Sequence, residues 1–430
     1  MVEITDYLLK LSAELPSRFE YARKLRKRFL FEELSGFVDA YIGGGDPRTV
    51  LLPGLRGTGK TTLLGQLYFH ALSQTSDVIY ISADEVRLLS FSFHDVIERY
   101  FDVFRPKRPV LLLDEVQYAE NWDLTLKVLH DRRKALVIAT GSSALKLRES
   151  PDLARRAIHV DVKPLSFVEY LHLRGEDVER ISLDALFEFN TDELERALSL
   201  GARYAGVADD YLKLGSLPLT LEMGGRMAYD ALFSLLERIV YRDLPEFRNF
   251  DSSTLDSALR LLTLLATPKG ERFSYNKLSK TLGISKSTVI EVVRAFVASG
   301  LLIEVPPIGS LSKKLRRSPK LKFSAPSLRA ALLSKFGVVE LAPLLEDSVA
   351  LYLSSEGLLE YEPGGGGADF VLTREGRRYV IEVGLGKTDY SQVKRSMERT
   401  GAGYGIVIGK EFDVRENLLM IPWWTFLSLV

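Results

Sequence analysis

Cysteine is absent from the 430-residue chain. Its absence excludes disulfides, thiolate metal sites and a cysteine nucleophile, and it fits a cytoplasmic location. Asparagine and glutamine together number nine, against 57 Lys and Arg and 57 Asp and Glu. Few thermolabile residues beside many ionic ones is the balance expected of a thermophile. The equal charges leave a net charge of zero, so any contact with nucleic acid needs a local basic patch. No stretch of about 18 apolar residues exists, which argues against a helical membrane span. The N-terminus carries charge from Glu3 onward, with no signal-peptide apolar block. The length calls for two to four domains.

Against these absences stands one strong pattern. Gly54-Leu55-Arg56-Gly57-Thr58-Gly59-Lys60-Thr61 fits G-x-x-x-x-G-K-[ST] at every fixed position. The apolar run Thr49 to Leu52 reads as a buried strand before it, and Leu63, Leu64, Leu67 and Leu72 mark a helix after it. In a strand–loop–helix the backbone N–H groups of Gly54, Arg56, Gly57, Thr58, Gly59 and the first helical turn through Thr62 surround phosphate oxygens. Lys60 reaches the outer phosphates, and the Thr61 hydroxyl binds Mg²⁺. The expected ligand is a nucleoside triphosphate, ATP.

Hydrolysis needs a second half. Leu111-Leu112-Leu113-Asp114-Glu115 supplies a buried strand ending in two carboxylates. Asp114 is the expected metal-side group and Glu115 the general base for the attacking water. The next apolar run ends Ala139-Thr140-Gly141-Ser142-Ser143, where a hydroxyl can sense the γ-phosphate. Ser142 is the first choice and Thr140 the second. Apolar runs at 78–81, 109–113, 136–139 and 158–162 alternate with helical patterns, which predicts a parallel sheet with helices on both faces. The basic run Arg23 to Arg28 reads as a solvated helix face.

Together these blocks, with Asp114-Glu-Val-Gln117, Thr140-Gly-Ser-Ser143 and Pro164-Leu-Ser-Phe-Val-Glu-Tyr170, resemble the prokaryotic, largely archaeal, AAA-superfamily ATPases. In these an ATPase module is followed by a domain of unknown function with a winged helix and a nuclease-like tail. The resemblance implies a P-loop ATPase domain over 1–164, a helical lid subdomain over 165–250, a winged helix over 251–330 and a nuclease-like α/β domain over 331–430. It also implies a catalytic arginine before the Pro-Leu-Ser block, a position that Arg156 takes here.

Residues 273–289 read as helix-turn-helix, with Gly283 at the turn and Ser285 capping the second helix. Lys286 and Arg294 lie on that helix, and Lys313, Lys314, Arg316 and Arg317 on the expected wing. They are the candidate contacts to duplex DNA, suited to phosphates more than to bases. The tail resembles nucleases in which Asp and Glu-x-Lys on adjacent strands hold Mg²⁺. Glu346, Asp369 and Glu382 match the acids, but Gly384 stands at the lysine position. A degenerate, inactive site is therefore expected, with Lys387 as a substitute from the loop. The function expected is ATP hydrolysis to ADP and phosphate driving conformational change, with duplex DNA a candidate partner through the winged helix and a homo-oligomer a candidate state. The alternatives are an ATP-gated switch acting through protein assembly and an ATP-dependent nuclease.

Overall fold

The computed structural model describes residues 3–46, 48–133, 135–142, 153, 155–267, 274–310, 312, 314, 317–364 and 366–430. The chain divides into two compact units, 1–163 and 164–430.

The first unit is built on five strands: β1 (Thr49–Pro53), β2 (Val78–Ser82), β3 (Val110–Asp114), β4 (Leu136–Gly141) and β5 (Ala157–His159). They form a parallel sheet in the order β2-β3-β4-β1-β5. β1 to β4 are buried at every residue, as continuous apolar runs covered on both faces should be, and β5 is a half-exposed edge. Register decides where the chemistry sits. Pro53 pairs with Gly141 and Ser82 with Asp114, while Leu113 opposes Ala139. The carboxyl ends of β1, β4 and β3 therefore lie side by side, the edge at which open α/β sheets bind ligands.

Helices Ile4–Arg18 and Glu20–Lys24 belong to this unit. The Phe19 ring meets Tyr80 of β2 edge-on at 4.8 Å. Gln66, on the helix Lys60–Leu72 that follows the glycine loop, donates Nε2 to the carbonyls of Ala22 and Leu25 at 3.2 Å. The basic run departs from its expected solvation at its end, because Arg28 is buried.

The second unit contains a six-stranded mixed sheet. Its strands are β8 (Leu358–Glu360), β9 (Phe370–Arg374), β10 (Arg377–Val383), β11 (Tyr404–Gly409), β12 (Asp413–Val414) and β13 (Leu418–Pro422), in the order β12-β13-β11-β10-β9-β8. The Gly364–Gly367 tract lies between the antiparallel strands β8 and β9, as a hairpin connection should. The helical segment after residue 165 does not stand apart as a lid. Phe167, Leu194 and Tyr211 share one core with Leu344, Phe370, Ile406 and Phe426, and helix Thr191–Asp210 packs on Trp423–Leu427. Apolar faces on both segments require each other, so the expected boundary at 250 is not a boundary of cores. Between them run helices Ser252–Ala266, Tyr275–Leu282 and Lys286–Ala298, then an antiparallel pair, β6 (Leu302–Val305) and β7 (Lys320–Phe323). Gly283 makes the turn at φ 70°, and the Ser285 hydroxyl accepts from the Thr288 N–H at 3.0 Å.

A fully buried ion pair fixes these elements to the sheet domain. Arg329 donates through Nε and Nη2 to Asp347 at 2.6 and 2.9 Å and through Nη1 to the Ala266 carbonyl at 3.2 Å. Asp347 also accepts from the Phe323 N–H at 3.0 Å. Removing one partner leaves an uncompensated buried charge. Arg329→Ala is expected to destabilise the second unit by about 3–5 kcal/mol in urea unfolding. Arg329→Met combined with Asp347→Asn, which keeps an acceptor for Phe323, should recover at least half of that loss.

Candidate active site

The loop between β1 and helix Lys60–Leu72 follows the glycine pattern. Gly57 and Gly59 sit at φ 88° and 87°. Gly54 is required for space, because a Cβ there would lie 2.4 Å from the Val162 carbonyl oxygen. Thr58 closes the loop by donating Oγ1 to the Leu55 carbonyl at 2.8 Å. Its own carbonyl accepts from Arg28 Nη1 at 2.6 Å, and Arg28 Nη2 reaches the Lys163 carbonyl at 3.0 Å. Lys60 is buried, its Nζ donating to the carbonyls of Gly54 and Leu55 at 2.8 and 3.1 Å. Its ammonium is thus held inside the loop that presents phosphate-binding N–H groups. Thr62 is half-buried in the same first turn.

At the end of β3 the Asp114 carboxylate accepts three hydroxyls. Thr61 Oγ1 donates to Oδ2 at 2.7 Å, Tyr80 Oη to Oδ2 at 2.8 Å, and Thr140 Oγ1 to Oδ1. Burial, then the neighbouring Glu115 charge, pushes the Asp114 carboxyl up, and the three donors pull it back. Burial and the Asp114 charge push the Tyr80 phenol far up, so it remains a proton donor. Thr61 and Asp114, the two residues expected to serve magnesium, are thus in direct contact, and their oxygen-only donor set suits a hard cation.

Glu115 leaves the strand in the left-handed region, φ 51° and ψ 44°. For a residue with a side chain that conformation costs on the order of 1 kcal/mol, and such strain gathers at functional sites. Its N–H donates to Thr140 Oγ1 at 3.1 Å. Arg56 Nη1 lies 3.9 Å from Oε1, and Arg56 Nη2 donates to Tyr118 Oη at 3.0 Å. Ser142 does not touch Asp114; its Oγ accepts from Gln117 Nε2 at 3.0 Å. Of the two sensor candidates, Thr140 is the one in contact with both acids.

Arg156 is placed elsewhere. It stands just before β5, where Ala157 pairs with Thr49. Thr49 opens β1 and Gly54 follows its close, five residues or about 16 Å further along the strand. Arg156 makes a two-armed contact with Asp131 at 3.0 and 3.3 Å, which holds the Asp131 carboxyl below its usual range. It therefore does not serve the phosphate loop of its own chain.

The described basic candidates of the second unit differ in exposure. Lys286, Arg294 and Arg317 are exposed. Lys314 pairs with Glu360 at 2.5 Å, and Lys322 is fully buried against Glu346 at 2.5 Å. Lys313 and Arg316 lie outside the described residues.

In the tail, Glu346 is thus engaged by Lys322 and is not gathered with the other two acids. Among the described residues no group of three His, Asp or Glu forms a metal cluster. Asp369 accepts from the Val383 N–H at 2.9 Å. Glu382 is buried, with Oε2 accepting from Lys387 Nζ at 2.6 Å and Oε1 left without a partner. Lys387 is the loop lysine whose ammonium reaches Glu382. It folds back over Gly384, where a Cβ would sit 3.0 Å from its Cγ.

Comparison with known proteins places this geometry. A family model described as an AAA domain matches residues 46–171, and one described as a domain of unknown function, DUF8612, matches 208–338. The chain is 43% identical over 453 residues to "Uncharacterized protein MJ1637" of Methanocaldococcus jannaschii, covering 100% of this chain and 95% of that protein. This chain belongs to the MJ1637 family. A second protein of that organism, "Uncharacterized protein MJ1544", is 26% identical over 51% of this chain and 50% of its own length. Among solved structures, Aeropyrum pernix Orc1 in complex with DNA aligns at 14% identity and TM-score 0.34, over 72% of this chain and 93% of that one. The Thermotoga maritima RuvB branch migration motor aligns at 18% and 0.31, over 64% and 89%. The first unit carries an AAA-type P-loop domain.

Burial and the Asp369 charge push the Glu382 carboxyl from 4.5 up to about 8. The folded state then binds more protons than the unfolded one between those values, so stability falls as pH rises through that window. Glu382→Gln should flatten this slope, with its largest gain in urea midpoint over the parent near pH 8.

Proposed function

We propose that the protein hydrolyses ATP to ADP and phosphate and uses the cycle to drive conformational change. The observation that carries this reading is the 2.7 Å contact between Thr61, on the helix after the glycine loop, and Asp114, at the end of β3. It brings the phosphate-binding and carboxylate halves to one point. The loop N–H groups and Lys60 would bind the outer phosphates. Thr61 and Asp114 would hold Mg²⁺, which supplies neutralising charge to the phosphates when bound. Glu115 accepts the proton of the attacking water, and Thr140 fixes both acids from β4.

Among the described candidates, Lys286, Arg294 and Arg317 are exposed, and a duplex DNA partner would use them for phosphate contacts. A switch acting through protein assembly asks nothing of them. The rate of ATP turnover and the native mass, each measured with and without duplex DNA, separate the two.

A second reading has its own observation, the Lys387–Glu382 contact. With Asp369 beside it, the site keeps two carboxylates and one ammonium, a set that metal-assisted phosphodiester cleavage employs. Cutting of DNA by the parent that disappears in Asp369→Ala would support this reading, and an uncut substrate with Mg²⁺ or Mn²⁺ would end it.

For the principal reading, Lys60→Ala is expected to weaken nucleotide binding at least about tenfold, the loss of roughly 1.4 kcal/mol. Glu115→Gln should bind as the parent does and turn over about 10²- to 10³-fold more slowly. Equal turnover of parent and Glu115→Gln would remove Glu115 from the role of base.

A further inference from the structure

Gln117 belongs to a sequence block that marks the family resemblance, yet nothing in the reaction above employs it. It occupies the short turn Val116–Tyr118 directly after Glu115 and is buried. Its Nε2 carries two protons, and both are used. One goes to Glu115 Oε2 at 2.5 Å and the other to Ser142 Oγ at 3.0 Å. Its Oε1 is buried with no hydrogen-bond partner. A buried acceptor left unmade is costly, and a flipped amide would present that oxygen to the carboxylate instead. The orientation is therefore set by the acid.

We propose that Gln117 is a positioning residue that couples Ser142, just beyond β4, to the base Glu115. The inference rests on the ATPase reading. Glu115 sits in a left-handed turn, so the strand does not direct its carboxylate, and lateral contacts must. Gln117 occupies Oε2 and ties it to the sheet through Ser142, while Arg56 faces Oε1 at 3.9 Å. One carboxylate oxygen is thereby anchored and the other turned to the water. In the step served, the water oxygen bonds to the γ-phosphorus as the β–γ bridging P–O bond breaks. That electron pair leaves on ADP, and the water proton passes to Glu115. Gln117 touches neither phosphate nor water; it sets the angle of the acceptor.

The test is a set of Mg-ATP turnover and nucleotide-binding measurements on the full chain, with thermal melting as a check on folding. Gln117→Met keeps the volume and removes the amide. It is expected to lower kcat by about 10- to 100-fold with nucleotide Kd and Tm close to the parent's. Ser142→Ala should lower kcat less. Adding it to Gln117→Met should cost little more, because both break one chain of contacts. In the Glu115→Gln background Gln117→Met should have almost no further effect. Parent-like kcat in Gln117→Met, or losses that multiply in either double variant, would overturn the inference while leaving the ATPase reading intact. A parent that binds nucleotide but never turns it over would overturn both.

Discussion

Asp114 is a carboxylate that the sheet has removed from water, and the geometry of the first unit depends on how that is tolerated. Burial of such a group is tolerable only with several hydrogen bonds. The chain supplies three hydroxyls from three different elements: Thr61 from the helix after the loop, Tyr80 from β2 and Thr140 from β4. Each donor constrains the element that carries it. The strand order, with β4 between β1 and β3, allows one small carboxylate to be reached from all sides. The same hydroxyls that compensate its desolvation tie the glycine loop and Glu115 to the sheet.

Arg28 acts from the other direction. Its guanidinium grips the Thr58 carbonyl within the loop and the Lys163 carbonyl at the end of the first unit. Guanidinium suits this task because its planar fork satisfies two acceptors at fixed angles, which a lysine ammonium does not. Gln66 repeats the device by collecting the carbonyls of Ala22 and Leu25 at the end of helix Glu20–Lys24. The N-terminal helices are thus structural partners of the loop, and their basic surface is only part of their role.

The loop, the two acids and the parallel sheet were legible because each depends on local chemistry. A glycine pattern needs a strand before it and a helix after it, and a buried run ending in Asp-Glu has few other uses. Arg28, Tyr80 and Gln117 were not legible, since their roles come from partners 30, 34 and 25 positions away. A basic run gives no sign of which member turns inward. The place of Arg156 was not legible for a related reason: a motif fixes order along the chain, whereas only strand register tells which end of the sheet a residue occupies. The helical segment after 165 was misjudged because helical periodicity predicts an apolar face and does not name the surface that covers it.

The two acidic sites reward comparison, because they solve one problem with different means. Asp114 is compensated by neutral hydroxyls, which leave its charge undiminished and available to a cation. Glu382 is met by the Lys387 ammonium, yet burial and the Asp369 charge still push its carboxyl up to about 8. A divalent ion held by Asp114 and the Thr61 hydroxyl meets an anion and neutral dipoles. Introducing the same ion beside Lys387 sets two cations against each other, with Asp369 as the second carboxylate among the described residues. Under the proposed ATPase reading, charge arithmetic favours Asp114 over the tail site as the place of a divalent ion.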